Sequence, residues 1–419
     1  MEAPSTLLVE EMCVYSKLEQ RMTALEATPV RVSSAELARR WAAVRGEMAE
    51  CGIDALVVRN DNDWVGGYVR WFSDVPANNS YPRTLVFHRD DLMTLVEVGP
   101  FDGREMLGGK DDYHRGVGER LTAPAFAPIA YTHTYDGELV AAILGRRGYR
   151  TVGLVAPNAQ AKGFLGPLDA ALAGKARIVD ATDFVDAIKT VKSAEEIAFI
   201  RATAALQDAA FAKAVETIRP GLRDVDVVAA AWHEAQILGS EQGVILGGSA
   251  PLGTPSRFVG RHQQGRRINP GDHLTLLIEV NGPGGYYGEL ARTIVLGRAS
   301  AELADGFAAT RELQAATLAQ MKPGAASADI SAAHDAAMAA RGLPLERRVY
   351  SHGQGYDMVE RPLIRRDEPG VLVAGTCLAV HPQFETGRVF AVICDNYIIG
   401  AAGPGECLHR TEKKIFEVA

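Results

Sequence analysis

Leu37, Trp41, Val44 and Met48 recur at helical spacing, so Ser34 to Cys51 predicts a helix with one apolar face. Short apolar runs follow. Asp54-Ala-Leu-Val-Val-Arg59 predicts a strand. Arg83-Thr-Leu-Val-Phe-His88 and Met93-Thr-Leu-Val-Glu97 predict two more around an Arg-Asp-Asp turn. Leu139 to Leu144 reads as a short helix and Thr151-Val-Gly-Leu-Val155 as another strand. This alternation predicts an α/β domain over residues 1–187. Ser193, with Glu196 three residues on, is a capping-box signature. The long helix it opens carries Ile197, Ile200, Ala204 and Phe211 on one side and stops at Ile218-Arg-Pro-Gly221.

The second half of the pattern repeats itself. Ile218-Arg-Pro-Gly221 returns as Met321-Lys-Pro-Gly324, and Asp226-Val227 returns as Asp329-Ile330, each 103 positions on (218 to 321, 226 to 329). Each copy lies between a long helix and a shorter Ala-rich one. Each then leads into strands, Leu274 to Val280 in the first and Val371 to Val380 in the second. Residues 188–419 are therefore expected to form one α+β domain, internally duplicated, with a cleft between its halves.

Charge and cysteine usage narrow the function class. The 419 residues include 44 Lys and Arg against 52 Asp and Glu, a net charge of −8, which argues against nucleic acid or an anionic membrane as the main partner. No stretch approaches the ~18 apolar residues of a membrane span. Met1–Gln20 carries Glu2, Glu10, Glu11 and Glu19 and does not read as a secretory signal. The five cysteines, Cys13, Cys51, Cys377, Cys394 and Cys407, form no CxxC pair and are expected to be reduced thiols in a cytoplasmic protein.

Chemistry concentrates in a few motifs of the second half. They are Gly271-Asp-His-Leu-Thr-Leu-Leu-Ile-Glu279, Gly285-Tyr-Tyr-Gly-Glu-Leu-Ala-Arg-Thr293, Ser351-His-Gly-Gln-Gly355, Ala379-Val-His-Pro382 and Val392-Ile-Cys-Asp-Asn396. In this order they resemble the creatinase / methionine aminopeptidase / prolidase family, peptidase family M24, which has the pita-bread fold. Val191-Lys-Ser-Ala-Glu-Glu-Ile197 is similar to that family's junction between its N-terminal and catalytic domains. The resemblance spans about residues 35 to 415 and agrees with the duplication.

The peptidases of this family hold two divalent metals with two Asp, one His and two Glu. The resemblance puts the first Asp on Leu277 without a gap, or on Glu279 with a shift of two, and the second on Glu289. It puts the His on His352, the first Glu on His381 and the last Glu on Cys394. Only His352 keeps its residue type. A two-metal site needs bridging carboxylates, so no resident metal is expected. One zinc or iron on Glu289, His352, His381 and Cys394 is the alternative. Cys394 reads either as an inert buried thiol or as a nucleophile.

Creatinase is the family's metal-free precedent, with a histidine as proton shuttle, and it resembles this chain at Gly285-Tyr-Tyr287 and Arg292-Thr293. Its two guanidinium-gripping glutamates fall on Ala291 and His381, so creatine itself is a poor fit. Its shuttle histidine lies on the loop before Gly271. Counting forward lands on Pro255 and counting back on Gly260, and His262 is the histidine nearby. The resulting expectation is a metal-independent hydrolase of a C–N bond in a small charged metabolite. His262, His352 and Glu289 would be catalytic. Glu279, His381, Glu360, Arg83 and Tyr287 would bind substrate. Glu360 and Pro362 match the family's His-Glu-x-Pro with Val359 in place of the histidine. Arg83 lies near the creatinase arginine that reaches into the neighbouring subunit's site, so the resemblance also implies a homodimer. The rival readings are a one-metal Xaa-Pro dipeptidase, a lyase, or a non-catalytic binding protein on the same fold.

Overall fold

A computed structural model describes residues 31–62 and 67–419. The acidic stretch Met1–Gln20 and Cys13 lie outside the described residues. Seven strands form the first sheet: β1 (Ala55–Asn60), β2 (Arg83–His88), β3 (Met93–Val98), β4 (Gly103–Met106), β5 (Val117–Ala123), β6 (Thr151–Leu154) and β7 (Arg177–Asp180). Their order is β4-β5-β3-β2-β1-β6-β7, with β1 antiparallel to β2 and parallel to β6. Strand parity builds three layers. Leu56, Val58, Leu85 and Phe87 pack on Leu37, Val44 and Met48 of the helix Ser34–Glu50. Ala55, Val57, Val86 and Val152 pack on Val140, Ile143, Phe164 and Leu168 from the other face. The short helix expected around Leu139 is longer, His133–Arg147, because Gly148 in the left-handed region (φ 63°) ends it.

The second half follows the expected duplication. Ser193 caps the helix Ala194–Thr217, with both capping-box hydrogen bonds formed (3.1 and 2.7 Å). Its four-stranded sheet runs β18-β10-β9-β8, from β8 (Gly243–Pro251), β9 (Asp272–Val280), β10 (Leu290–Leu296) and β18 (Phe416–Val418). The other half carries β11 (Ser351–Gly353), β12 (Glu360–Leu363), β13 (Cys377–Val380), β16 (Asp395–Ile399) and β17 (Pro404–Cys407), in the order β12-β11-β13-β16-β17. A hairpin of β14 (Gln383–Glu385) and β15 (Phe390–Val392) stands apart.

The two Pro-Gly turns do the same job. Gly221 and Gly324 have φ of 90° and 85°, and their N–H groups donate to Ile268 and Leu372, each at 2.8 Å. Both positions need a left-handed backbone that glycine adopts without strain. The strand expected from Val371 is shorter, because Val371 only bridges Ala326 and regular pairing starts at Cys377. The halves meet where Ala291 and Cys394 exchange backbone hydrogen bonds of 3.3 Å.

A buried arginine ties the first sheet's helix to this body. Arg40 donates to Glu36 (2.7 Å), to the Trp71 carbonyl (2.9 Å), to Glu196 (3.1 Å) and to the Tyr286 hydroxyl (2.7 Å). Tyr286 is fully buried in this junction and stacks on Phe199. Among the described residues, no helix is long and apolar enough to cross a membrane.

Candidate active site

Glu279 and Glu289 face each other across β9 and β10. The pairs Ile278–Leu290 and Asn281–Tyr287 flank them in one continuous register, so both side chains leave the same face of the sheet. Leu277 shares that face, as strand parity requires, and packs with Ala291, Ala379 and Cys394. The alternatives Leu277 and Glu279 are therefore neighbours, one in an apolar patch and one beside a carboxylate.

The opposite half brings two histidines to the same place. His352 comes from β11, and His381 follows β13, held by its N–H to the Tyr350 carbonyl (2.8 Å). Ligand-type atoms of Glu289, His352 and His381 all lie within 4.8 Å of one another. The rings of His352 and His381 meet edge to face at 5.2 Å. His352 Nδ1 is 2.9 Å from the Gly353 carbonyl, which can only accept, so Nδ1 carries a proton and Nε2 faces Glu289 at 3.5 Å. His381 Nε2 is buried without a hydrogen-bond partner among the described residues.

The two carboxylates are driven apart electrostatically. Burial, reinforced by the charge of Glu289, pushes the Glu279 carboxyl well above the usual range. Burial also opposes ionisation of Glu289, but His381, His352 and the Cys394 thiol outweigh it and hold that group below the usual range. His381 itself is pushed down to about 4 by burial, so near neutral pH it aids Glu289 as a dipole, not as a full charge. The Cys394 thiol, raised by burial and then by Glu289, stays protonated and hydrogen-bonds that carboxylate. This is the inert role for Cys394, since the thiolate is the nucleophilic form.

Other expected site residues lie outside this group. His262 is exposed on a single turn, Arg261–Gln263, reached by counting through a loop that has no strand register to fix it. Arg83 is spent on Glu97 (2.8 and 3.1 Å) within the first sheet. Tyr287 is fully buried, and its N–H donates to the Gly355 carbonyl (2.7 Å), so it offers a substrate no surface. Glu360 is an ion-pair anchor, with Lys192 at 2.8 Å and Lys189 at 3.4 Å.

The Glu360 pairing has a measurable consequence. Burial opposes ionisation, yet Lys189 and then Lys192 hold the carboxyl at about 2, against roughly 4.3 for an unfolded glutamate. A depressed folded pKa stabilises above the unfolded value and is lost as pH falls through the folded one. Unfolding free energy should thus decline from about pH 4.3 towards pH 2. Glu360→Gln should be less stable at neutral pH and show a flatter decline over that window in urea titrations.

Two residues that the sequence analysis quoted without assigning a role link the Glu289 backbone to the Glu279 side chain. Asn396 Oδ1 accepts the Glu289 N–H (2.6 Å), and Asn396 Nδ2 donates to Gln354 Oε1 (2.7 Å). Gln354 Nε2 donates to Glu279 Oε1 (3.2 Å) and to the Met358 carbonyl (3.0 Å). Their signal was an amide in the same short motif as His352 and another in the same motif as Cys394.

One divalent ion fits the donor set, with two imidazoles and a carboxylate converging and the orphaned His381 Nε2 among them. Two ions do not, since an imidazole (His381) and a thiol (Cys394) stand where the resemblance puts two glutamate ligands, and Glu279 Oε1 is taken by Gln354.

Comparison with known proteins agrees with this architecture. Residues 198–401 match the model of metallopeptidase family M24. The uncharacterized hydrolase/peptidase y4tL of Sinorhizobium fredii is 28% identical over 306 residues, 71% of this chain and 75% of that protein. The ectoine hydrolase of Halomonas elongata is 26% identical over 326 residues, 72% of this chain and 76% of its own. In fold, the structure of dipeptidase PepE from Mycobacterium ulcerans superposes with a TM-score of 0.73 at 23% identity, covering 93% of this chain and 99% of that one. With the family match lying over a duplicated pita-bread body and its converging histidines and carboxylates, the chain belongs to the M24 creatinase / Xaa-Pro dipeptidase family and is a hydrolase.

Proposed function

We propose that the chain hydrolyses a C–N bond in a small charged metabolite without a resident metal. The observation that carries this reading is the split carboxylate pair, with Glu279 held neutral and Glu289 held ionised on one sheet face. Environments that push paired groups apart assign acid and base. Glu289 takes a proton from the attacking water, whose oxygen bonds to the scissile carbon. The C–N bond breaks, and Glu279 gives its proton to the departing nitrogen. Gln354 donates to Glu279 Oε1, so that proton belongs on Oε2. His352 and His381 flank the reacting carbon and can bind its oxygen or relay a proton. An ectoine hydrolase among the relatives supports a substrate other than a peptide.

A one-metal hydrolase is the second reading, favoured by the three donors within 4.8 Å. When bound, a zinc or iron ion supplies Lewis-acid polarisation of the scissile group. Protein purified without chelator should be assayed by NMR on ectoine and on alanyl-proline, with metal content measured alongside. The expected result is turnover of ectoine, resistant to chelator, at a metal content far below one per chain. Stoichiometric zinc or iron with activity lost to chelator would establish the second reading instead. Turnover of alanyl-proline alone would make the substrate a peptide.

A further inference from the structure

We infer that Gln354 is a positioning residue for Glu279, and that Asn396 sets the direction in which its amide points. The kinetic consequence rests on the proposed acid role of Glu279, while the geometric one does not.

The direction follows from the backbone. The N–H of Glu289 can only donate, so Asn396 turns Oδ1 towards it at 2.6 Å and Nδ2 away. Nδ2 can only donate, so Gln354 turns Oε1 towards it at 2.7 Å. This leaves Nε2 of Gln354 for Glu279 Oε1 and the Met358 carbonyl, at 3.2 and 3.0 Å. Both amides are fully buried, so reversing either would set acceptor against acceptor in a low-dielectric setting.

A second arm holds the backbone on which the carboxylates ride. The Asn396 N–H donates to His409 Nδ1 (3.3 Å), so Nε2 carries the ring proton and donates to Gln207 Oε1 (2.9 Å). Gln207 Nε2 then donates to the carbonyls of Val280 and Gly288 (2.9 and 2.5 Å), the neighbours of Glu279 and Glu289. With the backbone fixed by this arm, the Gln354 amide, anchored on the Met358 carbonyl, acts on the Glu279 side chain. Oε1 is claimed and Oε2 is the oxygen left for the substrate.

The test uses Gln354→Met, which keeps the volume and removes the donor. A second variant, Asn396→Asp, keeps the shape but offers an acceptor where Gln354 now finds a donor, which should turn the Gln354 amide over. Crystal structures of both should show the Glu279 carboxylate displaced or in more than one rotamer, with the Glu289 backbone unmoved. On whichever of ectoine or alanyl-proline the wild type turns over, kcat should fall about 10–100-fold with KM changed less than about threefold. A single unchanged Glu279 rotamer in Gln354→Met would overturn the inference, as would a kcat within twofold of wild type. If neither probe is turned over, the functional reading fails, and the crystallographic comparison still decides the positioning role.

Discussion

Glu289→Gln should lower kcat/KM by about 10²–10⁴-fold while leaving the fold intact. The substitution removes one charge and almost no volume. Its backbone N–H still donates to Asn396, which is the contact that fixes the end of the strand (2.6 Å). What disappears is the carboxylate that faces His352 Nε2 at 3.5 Å, accepts the Cys394 thiol and adds its charge to the burial that raises the Glu279 carboxyl. Losing it removes the base and also relaxes the neighbour that supplies the acid. Glu279→Gln should therefore be severe too, because an amide can accept the Gln354 hydrogen bond but cannot give up a proton to a leaving nitrogen. The double variant should be little worse than Glu289→Gln, since groups acting as one unit are strongly non-additive. Steady-state kinetics with thermal melting as the folding control check this. Glu289→Gln within tenfold of wild type would remove the group from the chemistry.

What was legible in the sequence had a local cause. Alternation and helical spacing gave the three-layer first half, and the matched Pro-Gly turns pointed to a duplication that the Gly221–Ile268 and Gly324–Leu372 hydrogen bonds now express. Strand parity explained why Leu277 and Glu279 share a face, though only the cross-strand register shows that Glu279 stands beside Glu289. Residues on a strand or directly beside one landed together, as with Glu289, His352 and His381. The residue on a loop did not, because a loop has no period by which to count to His262. Polar partners far apart in the chain were not legible at all. Arg40 finds Tyr286 246 positions away, and Gln354 finds Asn396 42 positions away. Periodicity reports whether a position is buried, and says nothing about which donor meets which acceptor there.

Arg292→Ala should cost about 3–5 kcal/mol of stability, a large part of the ~5–15 kcal/mol typical of a folded domain. Arg292 is fully buried and its donors are all directed to protein groups. It reaches the Glu412 carbonyl (3.0 Å), the Ala291 and Cys394 carbonyls (2.8 and 2.9 Å), the Thr411 carbonyl (3.0 Å) and Asp395 (2.6 Å). It thereby joins β10, the start of β16 and the C-terminal segment at the seam where Ala291 pairs with Cys394. Truncation leaves the Asp395 carboxylate buried, with Gln314 at 3.2 Å and Lys413 at 3.4 Å as weaker company. It also strips one hydrogen bond from each of four carbonyls, of which Ala291, Cys394 and Glu412 keep a backbone donor, and an unmade buried bond costs more than a formed one gains. Arg292→Lys should recover little, because a single ammonium cannot serve acceptors spread around a planar fork. Arg292→Met with Asp395→Asn should recover a measurable part, since removing both charges spares the lone buried carboxylate. Urea unfolding of the four proteins separates these terms. A loss below about 1 kcal/mol in Arg292→Ala, the range of an exposed ion pair, would mean that the seam holds without its arginine.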